Sequence, residues 1–182
     1  MSSTYYFSYF PKVQYDYQGY SKIVTDVLRR VAMRDLNDIL NSTIYYKYTI
    51  KENEKPEDIA QRYYGDTIYT WIVLYANNII NFYAQWPRNH NEFEEYIVSK
   101  YGSVEYIANK TNEQVIHHYE DGNGNWITKD TWVKLPIPNK TEYVITLYDY
   151  EYNLNEAKRE IYVIKVEYIR QIIEEINNIF NT

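Results

Sequence analysis

The sequence predicts an α+β fold, with short strands and helices in separate stretches of the chain, and three patterns carry that prediction. Residues 45–50, YYKYTI, alternate like a half-buried strand and place Tyr46, Tyr48 and Ile50 on one face. Helical spacing then takes over, because Ile68, Trp71, Ile72 and Tyr75 fall at i, i+3, i+4 and i+7. Near the end of the chain Ile169, Ile172, Ile173, Ile176 and Phe180 repeat that spacing, with Glu174, Glu175, Asn177 and Asn178 on the other face.

Taken in order, the chain opens on an aromatic stretch without a lasting period: Tyr5, Tyr6, Phe7, Tyr9, Phe10, Tyr15, Tyr17 and Tyr20. So many rings argue against simple disorder. The stretch reads as an extended arm whose rings insert into a neighbour or fold back onto the core. From Ser21, a plausible cap, Ile23, Val24, Val27, Leu28 and Val31 predict a helix, which Leu36, Ile39 and Leu40 continue less regularly. After the strand at 45–50 comes a charged turn, and Pro56 then suits a first helical position, with Glu57 and Asp58 in the first turn. Ile59 with Tyr63 and Ala60 with Tyr64 line a short helix that Gly65 ends in a left-handed conformation. Asp66 is placed to cap the next helix. That helix is apolar nearly all round, so it is expected to be covered on more than one side.

Beyond it, Asn81 to Asn91 reads as a loop around Trp86-Pro87, followed by a short helix carrying Phe93, Tyr96, Ile97 and Tyr101, with Asn89 or Asn91 as cap and Gly102 as stop. Residues 103–150 read as a β-rich segment. Val115–Glu120 and Trp126–Thr128 flank Asp-Gly-Asn-Gly-Asn as a hairpin; Trp132 to Pro138 reads as an extended edge; Tyr143–Tyr150 alternates like a strand. Residues 160–165 make a last strand before the C-terminal amphipathic helix. The expected segments are 1–44 (arm and helix), 45–102 (core and following helix) and 103–182 (hairpin region, strand and helix).

Composition excludes several classes of function. A net charge of −6 and a pI near 5.1 oppose a nucleic-acid footprint, which needs clustered Lys and Arg. Arg29, Arg30 and Arg34 are interrupted by Asp26 and Asp35 and read as a solvated face. With no cysteine, disulfides and thiolate metal sites are excluded. No apolar run reaches the roughly 18 residues of a membrane span, and no basic-then-apolar signal opens the chain. A soluble protein made in a cytoplasm is expected, without nucleic-acid or membrane partners. The 24 tyrosines suit cores near water and interfaces, although genome composition explains their number equally well.

Catalytic machinery is hard to assemble from these residues, and an enzyme is not expected. Of the 3 histidines, His117 and His118 are adjacent in a predicted strand and are expected on opposite faces. His118 and Glu120 would share a face, but two ligands make a poor metal site. Asp121-x-Asn123-x-Asn125 begins like a calcium loop, yet Trp126 and Trp132 stand where such a loop needs Gly and Glu. No phosphate cradle, HExxH or GxSxG pattern occurs. No cofactor and no metal are expected.

The order strand, helix, Gly65-Asp66, helix, Asn77-Asn78 resembles a LysM domain, built as strand, helix, helix, strand. A closer resemblance is to the LysM-like baseplate wedge protein of contractile-tailed, T-even-type bacteriophages. WIVLYANNIINFYAQWP (71–87) and EFEEYIVSKYG (92–102) carry it, with YFPKVQYDYQGYSKIVTDVLRRV (9–31) and YEYNLNEAKREIYVIKVEYIRQIIEE (150–175) extending it over most of the chain. The resemblance implies a structural virion protein that joins neighbouring wedges of the tail baseplate, made in the bacterial host. Its partners would be other wedge subunits, the sheath-initiating protein and neighbouring copies. It also implies that Tyr64, Gly65, Asp66, Trp71, Asn77 and Asn78 set the core geometry. Partner contacts would fall to Tyr15, Tyr17, Trp86, Tyr152, Arg159 and Tyr168. The alternative is a LysM-type module for peptidoglycan or chitin, against which the charged loop Lys51–Lys55 counts. The chain departs from LysM after Asn78, where the return strand is expected to be displaced downstream.

Overall fold

The computed structural model describes residues 6–27, 44–136, 138 and 140–181. In chain order the elements are β1 (Lys12–Tyr17), β2 (Tyr20–Thr25), β3 (Tyr45–Thr49), α1 (Pro56–Tyr64), α2 (Thr70–Ala76) and α3 (Phe82–Gln85). There follow α4 (His90–Tyr101), α5 (Val104–Ile107), β4 (Ile116–Glu120), β5 (Trp126–Ile127) and α6 (Lys129–Lys134). The chain ends on β6 (Val144–Thr146), α7 (Leu147–Ala157), β7 (Glu160–Ile164) and α8 (Ile169–Asn181). The fold is α+β. Two compact units divide it, one of Met1–Trp86 with Glu160–Thr182 and one of Pro87–Arg159. This division differs from the three expected segments because pairing joins β3 to a strand from the far end of the sequence.

In the first unit β3 and β7 pair antiparallel, Tyr46 opposite Val163 and Tyr48 opposite Ile161. Ile161 and Val163 point into one cluster with Ile50, Ile59, Ala60, Val73 and Trp86. Ile164 enters a second cluster with Tyr9, Phe10, Ile44, Ile72 and the buried stripe of α8, namely Ile169, Ile172, Ile176 and Phe180. α2 therefore serves both clusters, Ile72 in one and Val73 in the other, each fully buried. That double duty is the physical reason for a helix apolar on both sides. Trp86, expected at a partner surface, is buried here, and its Nε1 donates to the Glu54 carbonyl at 3.0 Å.

Part of the aromatic opening of the chain folds back onto the core, as one of its two expected forms. Tyr9 and Phe10 fold back, Phe10 lying 4.7 Å from the Phe180 ring. Residues 12–25 instead form an antiparallel hairpin, turned by Gln18 and Gly19, both at positive φ (51° and 82°). This corrects the helix expected from Ser21, because Ser21, Ile23 and Val24 lie in β2. Turn geometry decided the matter: successive positive φ values match the right-handed twist of the flanking strands. Leu28, Val31, Leu36, Ile39 and Leu40, which would have continued that helix, lie outside the described residues.

The second unit is built around Phe93, Ile97, Ile107 and Val115. Asn89 caps α4, its side chain accepting from the Glu92 amide while its own amide donates to the Glu92 carboxylate. The sheet order is β5-β4-β6. The expected hairpin at Asp121–Asn125 is present, held by Asp121 accepting from the Asn123 and Asn125 amides. Two expected strands are corrected. The stretch from Trp132 starts in α6, whose cap Thr128 accepts from the Thr131 amide, so the edge strand is not formed there. The strand expected at Tyr143–Tyr150 stops at Thr146, which forms a capping box with Asp149 and turns the chain into α7.

Candidate interaction surfaces

The residues expected to set the core geometry sit at the joints of the first unit. Gly65 ends α1 at φ 79°, a conformation that suits a residue without Cβ. Asp66 accepts from the Ile68 amide at 2.9 Å and starts the turn leading into α2. Tyr64 is partly buried on α1, and burial pushes its phenol well above the usual tyrosine range. Trp71 lies among Tyr6, Tyr9 and Tyr75, with ring centroids 5.1, 5.9 and 6.3 Å away. Asn78, at φ 53°, closes α2: its amide donates to the Tyr75 carbonyl and the Ile79 amide to the Leu74 carbonyl.

Asn77 makes the most specific contact of the set. Its Nδ2 donates to the carbonyls of Val73 and Tyr162, and its Oδ1 accepts from the Tyr162 amide, each at 2.8 Å. The side-chain amide thus imitates one residue of a neighbouring strand and occupies the edge of β7 away from β3. An exposed strand edge invites pairing with other chains, so this plug also protects the sheet.

Two polar networks brace the units internally. In the first, Glu54 accepts from the Tyr48 hydroxyl, the Lys51 amide and Arg62 Nη1 at 2.8, 3.0 and 2.6 Å. Burial, then the Glu54 carboxylate, push the Tyr48 phenol up to about 12. An open cavity of about 500 Å³ beside this network is lined by charged and amide side chains, Lys51, Glu52, Asn53, Glu54, Asp58, Gln61 and Arg62. In the second unit Glu151 accepts from Lys100, Tyr101 and Tyr96 at 2.7, 2.8 and 3.1 Å. Burial alone would raise the Glu151 carboxyl, but these donors outweigh it and hold the group below the ordinary carboxylate value.

No group of three or more His, Asp or Glu able to hold a metal ion occurs among the described residues. The histidine pair nevertheless departs from expectation. A register shift between Ile116 and His118 breaks the strand alternation, and the Nδ1 atoms of His117 and His118 lie 2.8 Å apart instead of on opposite faces. Sequence spacing carries no signal for such a bulge.

Among the described residues, the β1–β2 hairpin exposes a group of apolar side chains on one face. Cross-strand partners share a face, so Val13 with Val24, Tyr15 with Lys22 and Tyr17 with Tyr20 lie together. All six are exposed, Tyr15 at 55 %, Tyr17 at 57 % and Tyr20 at 73 %. The opposite face carries Lys12, Gln14, Asp16, Ser21, Ile23 and Thr25. A hairpin with one apolar face turned to water is marginal alone, which makes this face a candidate interaction surface.

A family model described as base plate wedge protein 53 matches residues 5–179. The chain belongs to that family of phage baseplate wedge proteins. A comparison with curated proteins returned no match. That family supports a structural role in the tail baseplate. Of the contact residues expected for a wedge protein, Tyr15 and Tyr17 lie on the exposed hairpin face. Tyr152 is exposed on α7, its ring stacked 6.2 Å from Tyr148. Arg159 is largely covered and bonds Glu156 at 2.9 and 3.0 Å, and Tyr168 packs partly buried against the α8 cluster. Tyr20, Val13 and Val24 complete the hairpin face and were missed; the alternation on either side of Gly19 is the signal that could have found them.

Proposed function

We propose that this wedge protein joins neighbouring wedges of a contractile phage tail baseplate through protein–protein contacts, with the β1–β2 hairpin as a principal contact. The solvent-facing apolar face of Val13, Tyr15, Tyr17, Tyr20 and Val24 is the observation that carries this reading. Burying such a face against a partner gains about 25 cal/mol per Å² of apolar area, while leaving it in water gains nothing. The partners in this reading are other wedge subunits, the sheath-initiating protein and neighbouring copies, and Tyr152 offers a second contact. Support for a LysM-like core comes from the order β3, α1, α2 and then β7, which pairs antiparallel with β3. The return strand then stands at 160–164, and residues 87–159 form an insertion before it.

Sedimentation velocity of the chain mixed with incomplete wedges from the same phage tests the joining role. Wild type is expected to convert wedges into a ring-sized species, and the triple variant Tyr15→Ser, Tyr17→Ser, Tyr20→Ser is expected to leave them unjoined. Wild-type protein that sediments alone would remove the claim, and full ring formation by the triple variant would remove the hairpin from it. In the first case titration with chitin oligomers addresses the glycan alternative, which the charged lining near Lys51–Lys55 does not favour.

A further inference from the structure

The histidine pair on β4 has an arrangement that a purely structural pair of rings does not need. His117 Nδ1 and His118 Nδ1 are 2.8 Å apart, and His118 Nε2 lies 2.9 Å from Glu120 Oε1. Tyr150 stacks on His117 at 3.8 Å and 10°, and Trp126 stacks on His118 at 4.1 Å and 24°. A carboxylate only accepts, so His118 Nε2 carries a proton toward Glu120. Neutral His118 then presents a bare Nδ1, which accepts from Nδ1–H of His117. The two rings share one proton.

The consequence follows from counting. A first added proton goes to Nε2 of His117 and leaves the shared contact intact. On the rings a second proton has only Nδ1 of His118 to occupy, and two N–H groups would then face each other across 2.8 Å. The groups that bear on the pair are few. Glu120 lies on the same strand, and Glu151 on α7 favours charge on His117. Trp126 from β5 and Ile145 opposite on β6 bring no charge. α6, which meets β4 through Trp132 and Tyr119, carries Lys129, Asp130 and Lys134, of which Lys129 is paired with Glu113. Burial, and the His118 ring beside it, hold His117 below the usual imidazole value.

We propose that His117, His118 and Glu120 form a two-proton switch: the rings stay joined with none or one added proton and separate on the second. Separation loosens the β4–β5 hairpin, whose pairing is only Tyr119 with Ile127 and Glu120 with Trp126. The Trp126 ring, already largely exposed, is thereby released from its stack on His118, so acid frees a ring that neutral pH keeps in place.

The test is ¹⁵N NMR of the full chain. At neutral pH a coupling through the shared hydrogen bond is expected between the two Nδ1 nuclei. On acidification the rings are expected to take up their two protons in succession. The coupling and the Trp126 indole position should both change in the second, more acidic step. In His118→Gln, His117 is expected to titrate once and the acid shift of Trp126 to vanish. Absence of the coupling at neutral pH, a single unresolved titration, or a Trp126 shift that persists in His118→Gln would each overturn the switch. The wild-type coupling and its loss in the more acidic step decide the matter even if the variant fails to fold.

Discussion

Asn77 shows how much of this fold rests on single side chains whose chemistry matches one place only. Its amide serves both polar groups of Tyr162 and a carbonyl of its own helix, so it needs a donor and an acceptor together. Asn77→Asp keeps the size and the acceptor but turns a carboxylate toward two carbonyls. It is expected to cost about 2 kcal/mol, from lost bonds and carbonyls left unpaired. Urea denaturation checks this, and an unchanged midpoint would mean that β7 is held by β3 alone. Glu151 makes the corresponding argument for pH. Its folded-state carboxyl is held below the ordinary value of 4.5, because the Lys100, Tyr101 and Tyr96 donors outweigh burial. The stabilisation is therefore fully present above that ordinary value and is lost as pH falls through the depressed one. Glu151→Gln is expected to flatten the acid limb of a plot of stability against pH. A limb as steep as wild type would assign acid sensitivity elsewhere.

At the scale of elements, α2 is the piece with least freedom, since it faces two clusters at once. Trp71→Ala removes the ring on which Tyr6, Tyr9 and Tyr75 converge, and a cavity of that kind costs about 3–5 kcal/mol. Because the indole is only partly buried, the lower end is expected in a denaturation midpoint, and a wild-type midpoint would refute the central place given to this helix. Elements whose cues are local were legible beforehand: α1 from Pro56 and Gly65, α4 from Asn89, the hairpin from Asp121–Asn125, α8 from its isoleucine stripe. Elements decided by competition were not. Ser21–Val27 fits helical spacing and strand alternation alike, and the Gln18-Gly19 turn settled it for the strand. Trp132 and Leu147 read as β until the caps at Thr128 and Thr146 are counted. The partner of β3 was expected downstream but not located, because strand pairing leaves no mark on either strand alone. Among the contact candidates, which came from the family resemblance alone, Tyr15 and Tyr17 stand exposed, whereas Trp86 is buried with its indole N–H on the Glu54 carbonyl.

For the whole molecule, the opening stretch combines an anchor and a probe, and the two are separable by experiment. Tyr9 and Phe10 belong to the core, while no residue of β1 or β2 is buried. The Asp26 amide donates to the Pro11 carbonyl at 2.8 Å, so the two ends of the hairpin already meet. Replacing Lys12–Thr25 by a short Gly-Ser linker therefore preserves the anchor and is expected to change stability by less than about 1 kcal/mol. Deleting residues 1–20 instead strips Tyr9 and Phe10 from Phe180 and Trp71 and is expected to cost about 3 kcal/mol or more. Denaturation midpoints separate the two variants, and sedimentation with incomplete wedges reads their assembly. The linker variant should be as stable as wild type yet fail to join wedges. If it joined them, the hairpin face would be dispensable and Tyr152 would become the surface to test. If it unfolded, the hairpin would be part of the first unit's support, and its apolar face would need to be sought against its own chain.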